Sequence, residues 1–363
     1  MENRWPGSRQ GDEGGNAHPD LRNFQFTFDR SSMFGGAENF IEPDPLFGPL
    51  SESASLSDSV QNFPEEFGRT YHAYRAGSYA FPNDSPEQER LVHQGQILKR
   101  LFKNRLYFAP LSRSKPPRNV LDVATGVGDW AIDMGDLFPN SQVIATDLSP
   151  IQPDEVPPNV KFYVEDSSDP WEYSHQFDYI HTRATSGCWS SFEKEVVEQA
   201  FATLDHGGWF EAQEFDCIVT SDDGTLDPNG PFAKWLNELT VAAETLHRPI
   251  VFGTTLKEVF ERVGFVDVQQ RIFKLPINGW AKDERLKELG RMWERNLTQG
   301  LSGFSFQLLN RAYDRPATEI EVSLVDVRRE LADPRIHAYI PVFVVWGRKP
   351  YPGEVPVPTP CFQ

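Results

Sequence analysis

Cysteine is scarce in this 363-residue sequence, and this scarcity limits its metal chemistry. The three cysteines, Cys188, Cys217 and Cys361, lie far apart, with no C-x-x-C pair and no neighbouring histidine at zinc-ligand spacing. This distribution predicts no metal site. It also favours a reducing, intracellular compartment, where disulfide bonds are rare.

Basic residues are also fewer than acidic residues. Lysine and arginine number 35 against 53 aspartates and glutamates, a formal charge of −18. Because nucleic-acid binders gain affinity by placing basic side chains against phosphates, we expect no direct nucleic-acid partner. The compact basic run Lys99, Arg100, Lys103 and Arg105 fits a solvated helix face, a docking face for a partner or a weak nuclear signal.

Long hydrophobic runs are missing as well. The opening stretch MENRWPGSRQGDEGG has no apolar core of a signal peptide, and the run IPVFVVW near the end is too short to span a bilayer. We therefore expect a soluble protein with no membrane partner, located in the cytoplasm or the nucleus.

Composition divides the chain into four parts. Residues 1–62 are rich in Gly, Pro, Ser, Asn and Asp without a sustained period, which predicts a disordered tail. Residues 63–118 read as a strap or lid followed by a helix. Residues 119–350 form the main domain, with helical insertions around 225–335, and residues 351–363 are expected to be a flexible C-terminus.

From Asn119, short apolar strands alternate with helical stretches, which is typical of a mostly parallel sheet covered on both faces. Strands are predicted at NVLDVAT, QVIATDL, VKFYVED, FDYIHTR and GWFEAQEF, and two late strands, VDVQQRIFKL and AYIPVFVVWGRK, form an antiparallel end. The result is a seven-stranded α/β sheet.

Helix signals fall between and after these strands. One helix starts with Ser85 as its N-cap and Pro86 at its first position. Others are predicted at DWAIDMGDLF and at FEKEVVEQAFATL, the second ending at a glycine C-cap in DHGG. Four more are predicted at PFAKWLNELTVAAETL, TLKEVFERVGF, DERLKELGRMWERNL and EIEVSLVDVRREL.

A glycine-rich loop joins the first predicted strand to a helix. Gly126-Val-Gly128-Asp-Trp-Ala131 fits G-x-G-x-x-A, a nucleotide-binding pattern in which backbone N–H groups face the ligand. Asp147 follows Gly128 by 19 residues, at the end of the next strand, where a carboxylate can bind ribose hydroxyls. The loop therefore predicts a nucleoside-containing ligand, and both NAD and S-adenosylmethionine satisfy this geometry.

Acidic residues around the loop favour S-adenosylmethionine. Asp122, four residues before Gly126, can hold a cationic amino-acid group but would repel a pyrophosphate. Glu165, Asp166 and Ser167, after the third strand, can bind an adenine edge. The two late strands also differ from a two-halved dinucleotide fold.

Two polar residues end the fourth strand, where ligands of such sheets bind. His181 is a candidate base and Arg183 a candidate anchor for an anionic group, with structural packing of His181 as the alternative reading. Glu214 and Asp216 follow the fifth strand and read as capping or loop acids rather than as substrate ligands.

Aromatic residues precede the main domain and follow the fourth strand. Tyr71, Tyr74 and Tyr79 can form a lid that stabilises a sulfonium charge, or a strap that packs on the sheet. Trp189 is expected either on the side of the site where a substrate would bind or in the hydrophobic core.

The main domain contains the segments LDVATGVGDWAID, VIATDLSPIQPDEVPPNVKFYVEDSSDPW, FDYIHTR, GGWFEAQEF, SDDGTL and VVWGRKP, and GRTYHAYRAGSYAFPNDSPEQERL lies upstream. Together these segments resemble the LaeA-like methyltransferases of filamentous fungi. The likeness covers roughly Pro64 to Pro350. It implies a class I, Rossmann-like methyltransferase fold using S-adenosylmethionine. The residues implied to hold the methionine and ribose part are Asp122, Ala124, Thr125, Gly126 and Gly128; Asp147 would bind the ribose, Leu148 the adenine face and Asp166 the adenine edge.

The resemblance implies one of two roles in fungal secondary metabolism. The first is methylation of a small-molecule acceptor, and the second is regulation of gene expression through protein partners such as velvet-type proteins. The sequence departs from the family where Ala124 replaces a common Gly, Asp129 replaces a small residue and His206 replaces Pro. A left-handed turn at Ala124 would be unfavourable for its side chain.

Overall fold

A mixed β-sheet organises the protein, whose computed structural model describes residues 58–354. A two-stranded ribbon, β1 (Glu65–Glu66) and β2 (Arg69–Thr70), comes first. The main sheet begins with the parallel strands β3 (Asn119–Val123), β4 (Gln142–Asp147), β5 (Val160–Val164), β6 (Phe177–Arg183) and β7 (Leu204–Phe215). It is completed by β8 (Thr220–Ser221), β9 (Val266–Pro276) and β10 (Ala338–Arg348).

The strands of the main sheet lie in the order β5-β4-β3-β6-β7-β10-β8, and β9 also pairs with β10. Strands β3 to β7 run parallel, while β10 is antiparallel to β7, β8 and β9. The expected fold class, a mostly parallel sheet with an antiparallel end, is confirmed, and the two-residue β8 is an addition to the seven predicted strands. Chain order reverses between β3 and β6, which places a ligand crevice at their carboxyl ends.

Eight helices occur among residues 58–354, and all but the first contribute to the hydrophobic clusters on the two faces of this sheet. They are α1 (Asp58–Gln61), α2 (Ser85–Leu101), α3 (Asp129–Leu137), α4 (Glu198–Thr203), α5 (Pro231–Thr245), α6 (Leu256–Val263), α7 (Glu284–Tyr313) and α8 (Ala317–Leu331). A π-helical turn, Glu193–Val197, precedes α4, and a 3₁₀ turn, Gly253–Thr255, precedes α6.

The core is divided by the sheet into two hydrophobic clusters, because successive strand side chains point to opposite faces. Val120 of β3 contributes to the cluster shared with α2, α3, α5, α7 and α8. The next residue, Leu121, contributes to the cluster shared with α4 and α6. Strands buried on both faces in this way explain the nearly continuous apolar runs of the sequence.

Three predicted helix ends differ from the structure. The N-cap of α2 is Asp84 rather than Ser85, because the Asp84 carboxylate accepts the Glu87 N–H at 3.1 Å. The predicted glycine C-cap in DHGG is wrong, since α4 ends at Thr203 and the chain is already extended at Leu204. Helix α7 continues to Tyr313, well beyond its predicted stretch.

The predicted tail and C-terminus lie partly outside the described residues. Residues 1–57 and 355–363 are not described. Within the segment predicted as tail, Asp58–Gln61 form the short helix α1. None of the helices between residues 58 and 354 is long and apolar enough to cross a membrane.

Candidate functional site

A cavity lies at the carboxyl ends of β3, β4, β5 and β6, beneath α2 and the segment before it. Predicted site residues that line it are Asp122, Ala124, Thr125, Gly126, Asp147, Leu148, Asp166, Arg183, Tyr79 and Trp189. The structure therefore brings most of the expected cofactor residues to one place. Gly128, His181, Tyr71 and Tyr74 do not belong to its lining.

The glycine-rich loop makes its turn through left-handed backbone conformations. Its φ angles are 56° at Ala124, 63° at Gly126 and 80° at Gly128. Gly128 is the N-cap of α3, and a Cβ at this position would lie about 2.5 Å from the Phe162 ring. Gly128 thus lets the loop approach β5, whereas Ala124 and Gly126 face the cavity.

Asp147 ties the end of β4 to this loop. Its Oδ2 accepts the Gly126 N–H at 2.8 Å, and its Oδ1 accepts the Ser149 N–H at 2.9 Å. Burial is the main cause that raises the pKa of Asp147 to about 6, and these N–H donors act in the opposite direction. A carboxylate with further lone pairs at the cavity wall is suited to accept ribose hydroxyls.

His181 lies beneath the cavity and supports Asp122. It is fully buried, its Nδ1 lies 2.7 Å from Asp122 Oδ1, and its ring stacks on Trp130 with a centroid distance of 3.7 Å. Thr125 Oγ1 donates to the other Asp122 oxygen at 2.5 Å. These contacts favour structural packing of His181, whose Nε2 is buried without a partner among the described residues, and its role as a base stays a prediction.

Arg183 is paired rather than free. Its Nη2 donates to Asp129 Oδ1 at 2.6 Å, and both side chains line the cavity. The pair packs against Gly95 of α2, where an added Cβ would overlap Asp129 Oδ2. An anion bound by Arg183 would have to compete with the Asp129 carboxylate. Asp129 is one of the positions at which the sequence departs from its family.

The aromatic segment before α2 contributes one tyrosine and one phenylalanine to the cavity. Tyr79 and Phe81 line the cavity in an edge-to-face pair with centroids 5.1 Å apart. Burial raises the pKa of Tyr79 well above its ordinary value. Tyr71 is buried elsewhere, and Tyr74 packs under Arg75 at 5.7 Å.

The far end of the cavity is formed after β5. Trp189 Nε1 donates to Ser167 Oγ at 2.9 Å, and Arg75 Nε lies 3.6 Å from Asp166 Oδ2. Arg75 also donates to Asp169 at 2.7 Å. These contacts attach the segment before α2 to the predicted adenine edge.

Helix α2 supplies lining residues that sequence reasoning missed. Glu87, Leu91, Gln94 and Gly95 all line the cavity. Their spacing of three and four residues puts them on one helix face, which is the signal that could have indicated them. Cys188 also lines the cavity, and burial raises the pKa of its thiol well above the ordinary value.

Glu214 and Asp216 serve the loops around the site. Glu214 accepts the Thr185 N–H at 2.7 Å and the hydroxyls of Thr182 and Thr185, and burial raises its pKa to about 7. Asp216 accepts the N–H groups of Phe252, Gly253 and Thr254. The sequence reading of both as loop acids agrees with these contacts.

The cavity chemistry fits S-adenosylmethionine. The carboxyl groups of Asp122, Asp147 and Asp166 line the cavity. They would suit a ligand with a cationic amino acid, ribose hydroxyls and an amino-bearing base, whereas they would repel a pyrophosphate. Between residues 58 and 354 no group of three or more His, Cys, Asp or Glu residues could hold a metal ion.

Comparison with known proteins agrees with this fold. Residues 92–270 match the family model of the methyltransferase domain. The chain is 37% identical to the methyltransferase pytC of Aspergillus terreus, with 86% of this chain and 97% of the relative covered. It is 36% identical to the secondary metabolism regulator LAE1 of Cochliobolus heterostrophus, with coverages of 78% and 94%.

A third relative is the protein-methionine methyltransferase laeA of Emericella nidulans, which is 32% identical and covered to 80% of its length by 83% of this chain. Identity at this level over most of each chain, together with the matching cavity, establishes the family. The protein belongs to the LaeA-like fungal methyltransferases, class I enzymes that use S-adenosylmethionine.

Proposed function

We propose that this protein transfers the methyl group of S-adenosylmethionine to a small-molecule acceptor in fungal secondary metabolism. The observation that carries the proposal is a second cavity, here called the acceptor chamber. It shares Tyr79, Phe81, Leu91, Gln94 and Ala184 with the first cavity. Its other walls come from α2, α5, α7, β7 and β10, so it is a chamber within the fold rather than an open groove. A small molecule suits such a chamber.

Residues of the first cavity would hold the cofactor. Asp147 would bind the ribose hydroxyls, Leu148 the adenine face, Asp166 the adenine edge and Asp122 the cationic amino group. When bound, S-adenosylmethionine would supply an electrophilic methyl group to a lone pair of the acceptor, and the electron pair of its carbon–sulfur bond would stay on sulfur. The proton displaced from the acceptor would reach solvent once the product leaves the chamber.

The protein's own contribution is placement and exclusion of water. Tyr79 and Phe81 stand where the two cavities meet, and their rings would shield the reacting atoms. Aligning donor and acceptor supplies much of the rate in such displacements. In this proposal His181 positions Asp122 and Arg183 forms part of the wall with Asp129, so neither has to remove a proton.

A second candidate function is regulatory. Two of the relatives described above are named as a secondary metabolism regulator and a protein-methionine methyltransferase. On this reading the chain acts through protein partners, such as velvet-type proteins, in the cytoplasm or the nucleus, and its acceptor is a protein side chain.

One labelling experiment separates the two candidates. The purified chain is incubated with methyl-labelled S-adenosylmethionine and a fungal extract divided into low-mass and protein fractions. We expect label in the low-mass fraction, and loss of that label in Asp147→Ala. Label confined to the protein fraction would contradict the small-molecule proposal and support the regulatory one.

A further inference from the structure

Six aromatic residues contribute to the wall of the acceptor chamber, together with aliphatic side chains. Phe215 and Trp293 meet edge-to-face with centroids 5.6 Å apart, and Phe81 meets Phe304 in the same way at 5.5 Å. Trp235 of α5 adds a further ring to the lining. Because aromatic rings stack on other rings or meet them edge-to-face, these side chains suit a planar, aromatic occupant.

Two buried hydrogen-bond donors in this chamber lack a partner among the described residues. They are the indole N–H of Trp293, which is 2% exposed, and the amide N–H₂ of Asn296, which is fully buried. Both belong to α7 and are separated by three residues, so they lie on the same face of the helix. Buried donors are normally paired, which makes these two a recognition feature for an acceptor atom of a ligand.

The orientation of the Asn296 amide follows from its neighbour. Arg90 Nη1 donates to Asn296 Oδ1 at 3.2 Å, and a guanidinium group has only donors. The amide oxygen therefore accepts the hydrogen bond from Arg90, and the N–H₂ group is the part of the amide that has no partner among the described residues. By contrast, Trp235 Nε1 in the same chamber donates to Ser305 Oγ at 2.9 Å.

The charged groups of the chamber are already neutralised or bound. Arg90 pairs with Glu87 at 2.7 Å, and both are buried. The Asp216 carboxylate accepts three backbone N–H groups. Without a free cation among the described lining residues, the chamber offers an anionic ligand no charge partner, and it suits a neutral one.

From these observations we infer that the methyl acceptor is a neutral, planar aromatic compound with a carbonyl oxygen bound by Trp293 and Asn296. The nucleophilic atom of that compound then lies toward Tyr79 and Phe81, where the chamber meets the cofactor cavity. This inference rests on the proposed function, because it takes the chamber as the acceptor site.

Two small probes test the carbonyl preference without any turnover. The probes are 1-indanone and indane, which differ by one carbonyl group, titrated by ligand-observed NMR on the full chain with S-adenosylhomocysteine present. We expect 1-indanone to bind about tenfold more tightly than indane, since only its oxygen can pair with the two donors.

Matched variants identify the donors. Trp293→Phe keeps a ring but removes the N–H, and Asn296→Asp keeps the oxygen for Arg90 but removes the donor; each is expected to abolish most of the preference. Trp235→Phe is the control, because its N–H already has a protein partner, and it should retain the preference. Thermal unfolding verifies that all three fold.

The possible failures are distinguishable. Equal affinity for both probes in the parent protein, or equal loss in Trp293→Phe and Trp235→Phe, overturns this inference. Absence of binding by either probe also overturns it. A tenfold preference that depends on Trp293, combined with label found only on protein in the experiment above, would instead contradict the proposed function while leaving the chamber's carbonyl preference standing.

Discussion

Two alanines hold backbone conformations at the site that their side chains disfavour. Ala124 has φ 56° and Ala184 has φ 58°, and both line the first cavity. A left-handed conformation brings Cβ close to the following carbonyl oxygen, at roughly 1–2 kcal/mol per residue. The sequence raised this question for Ala124, because its family has glycine there, but it offered no signal for Ala184, whose conformation depends on the contacts after β6.

Ala124→Gly should therefore stabilise the protein. We expect the free energy of unfolding to increase by about 1 kcal/mol, measured by denaturant titration, because glycine adopts this conformation freely. Ala131→Gly in α3 is the control and should decrease stability, since glycine weakens a helix interior. A decrease in both variants would show that Ala124 is not strained.

Asp147 should make cofactor binding depend on pH. The pKa of its carboxyl group is raised to about 6, so the group is protonated below that pH and can no longer accept two ribose hydroxyls. Affinity for S-adenosylmethionine is then greatest above pH 7 and falls about tenfold between pH 7 and pH 5. Calorimetry across this range measures the effect, and Asp147→Asn should flatten it; an equal slope in both proteins would assign the titration to another group.

At the scale of elements, the close approach of α2 to the loop before α3 shapes the site. Gly95 permits this approach, since a side chain at this position would overlap Asp129 Oδ2 and come within 3.4 Å of Arg183 Nη2. The Asp129–Arg183 pair thus sits between a helix and two strand ends. The sequence showed a helix at α2 but not which of its faces covers the cavity.

Gly95→Ala tests this packing. We expect overpacking of about 1–3 kcal/mol to exceed the gain of about 1 kcal/mol that alanine brings to a helix interior, so the free energy of unfolding should decrease. In an Asp129→Ala background the same substitution should leave stability unchanged or increase it by up to about 1 kcal/mol, because the carboxylate that it overlaps is gone. Additive losses in this double-mutant cycle would place the clash elsewhere.

Sequence patterns were most informative where local signals dominate. Strand β6 matches its predicted stretch FDYIHTR, because a buried parallel strand is a continuous apolar run bounded by turn residues. The end of α7 was missed because its continuation to Tyr313 depends on packing against α2, α5 and α8, not on capping residues. For the same reason the burial of His181 under Trp130 could not be read from the sequence, since its stacking partner lies on another element.

At the scale of the whole molecule, the proposed function has cofactor and acceptor held by different parts of the described chain. Residues from β3 to β6 supply most of the first cavity, whereas α5 and α7, within the predicted insertions, wall the acceptor chamber. Such a division allows acceptor choice to change while the cofactor site stays constant. The net charge of −18 affects solubility and association with other molecules, and it does not determine which part of the chain forms which cavity.

Among the described residues, Tyr79 is the first along the chain that lines either cavity. We therefore expect removal of the N-terminal segment to leave the cofactor site intact. Removing residues 1–57 should leave the dissociation constant for S-adenosylmethionine unchanged within about twofold, by calorimetry on the full and shortened chains. A large loss of affinity would show that this segment contributes to the site.

In the proposed function, the cavity at the ends of β3 and β4 binds S-adenosylmethionine through Asp147. The most direct measurement is calorimetric titration of S-adenosylmethionine into the parent protein, Asp147→Ala and the control Asp133→Ala, whose side chain pairs with Lys99 away from the cavity. We expect binding by the parent and Asp133→Ala, and affinity at least about tenfold weaker in Asp147→Ala. No binding by the parent, or equal binding by all three, would contradict it.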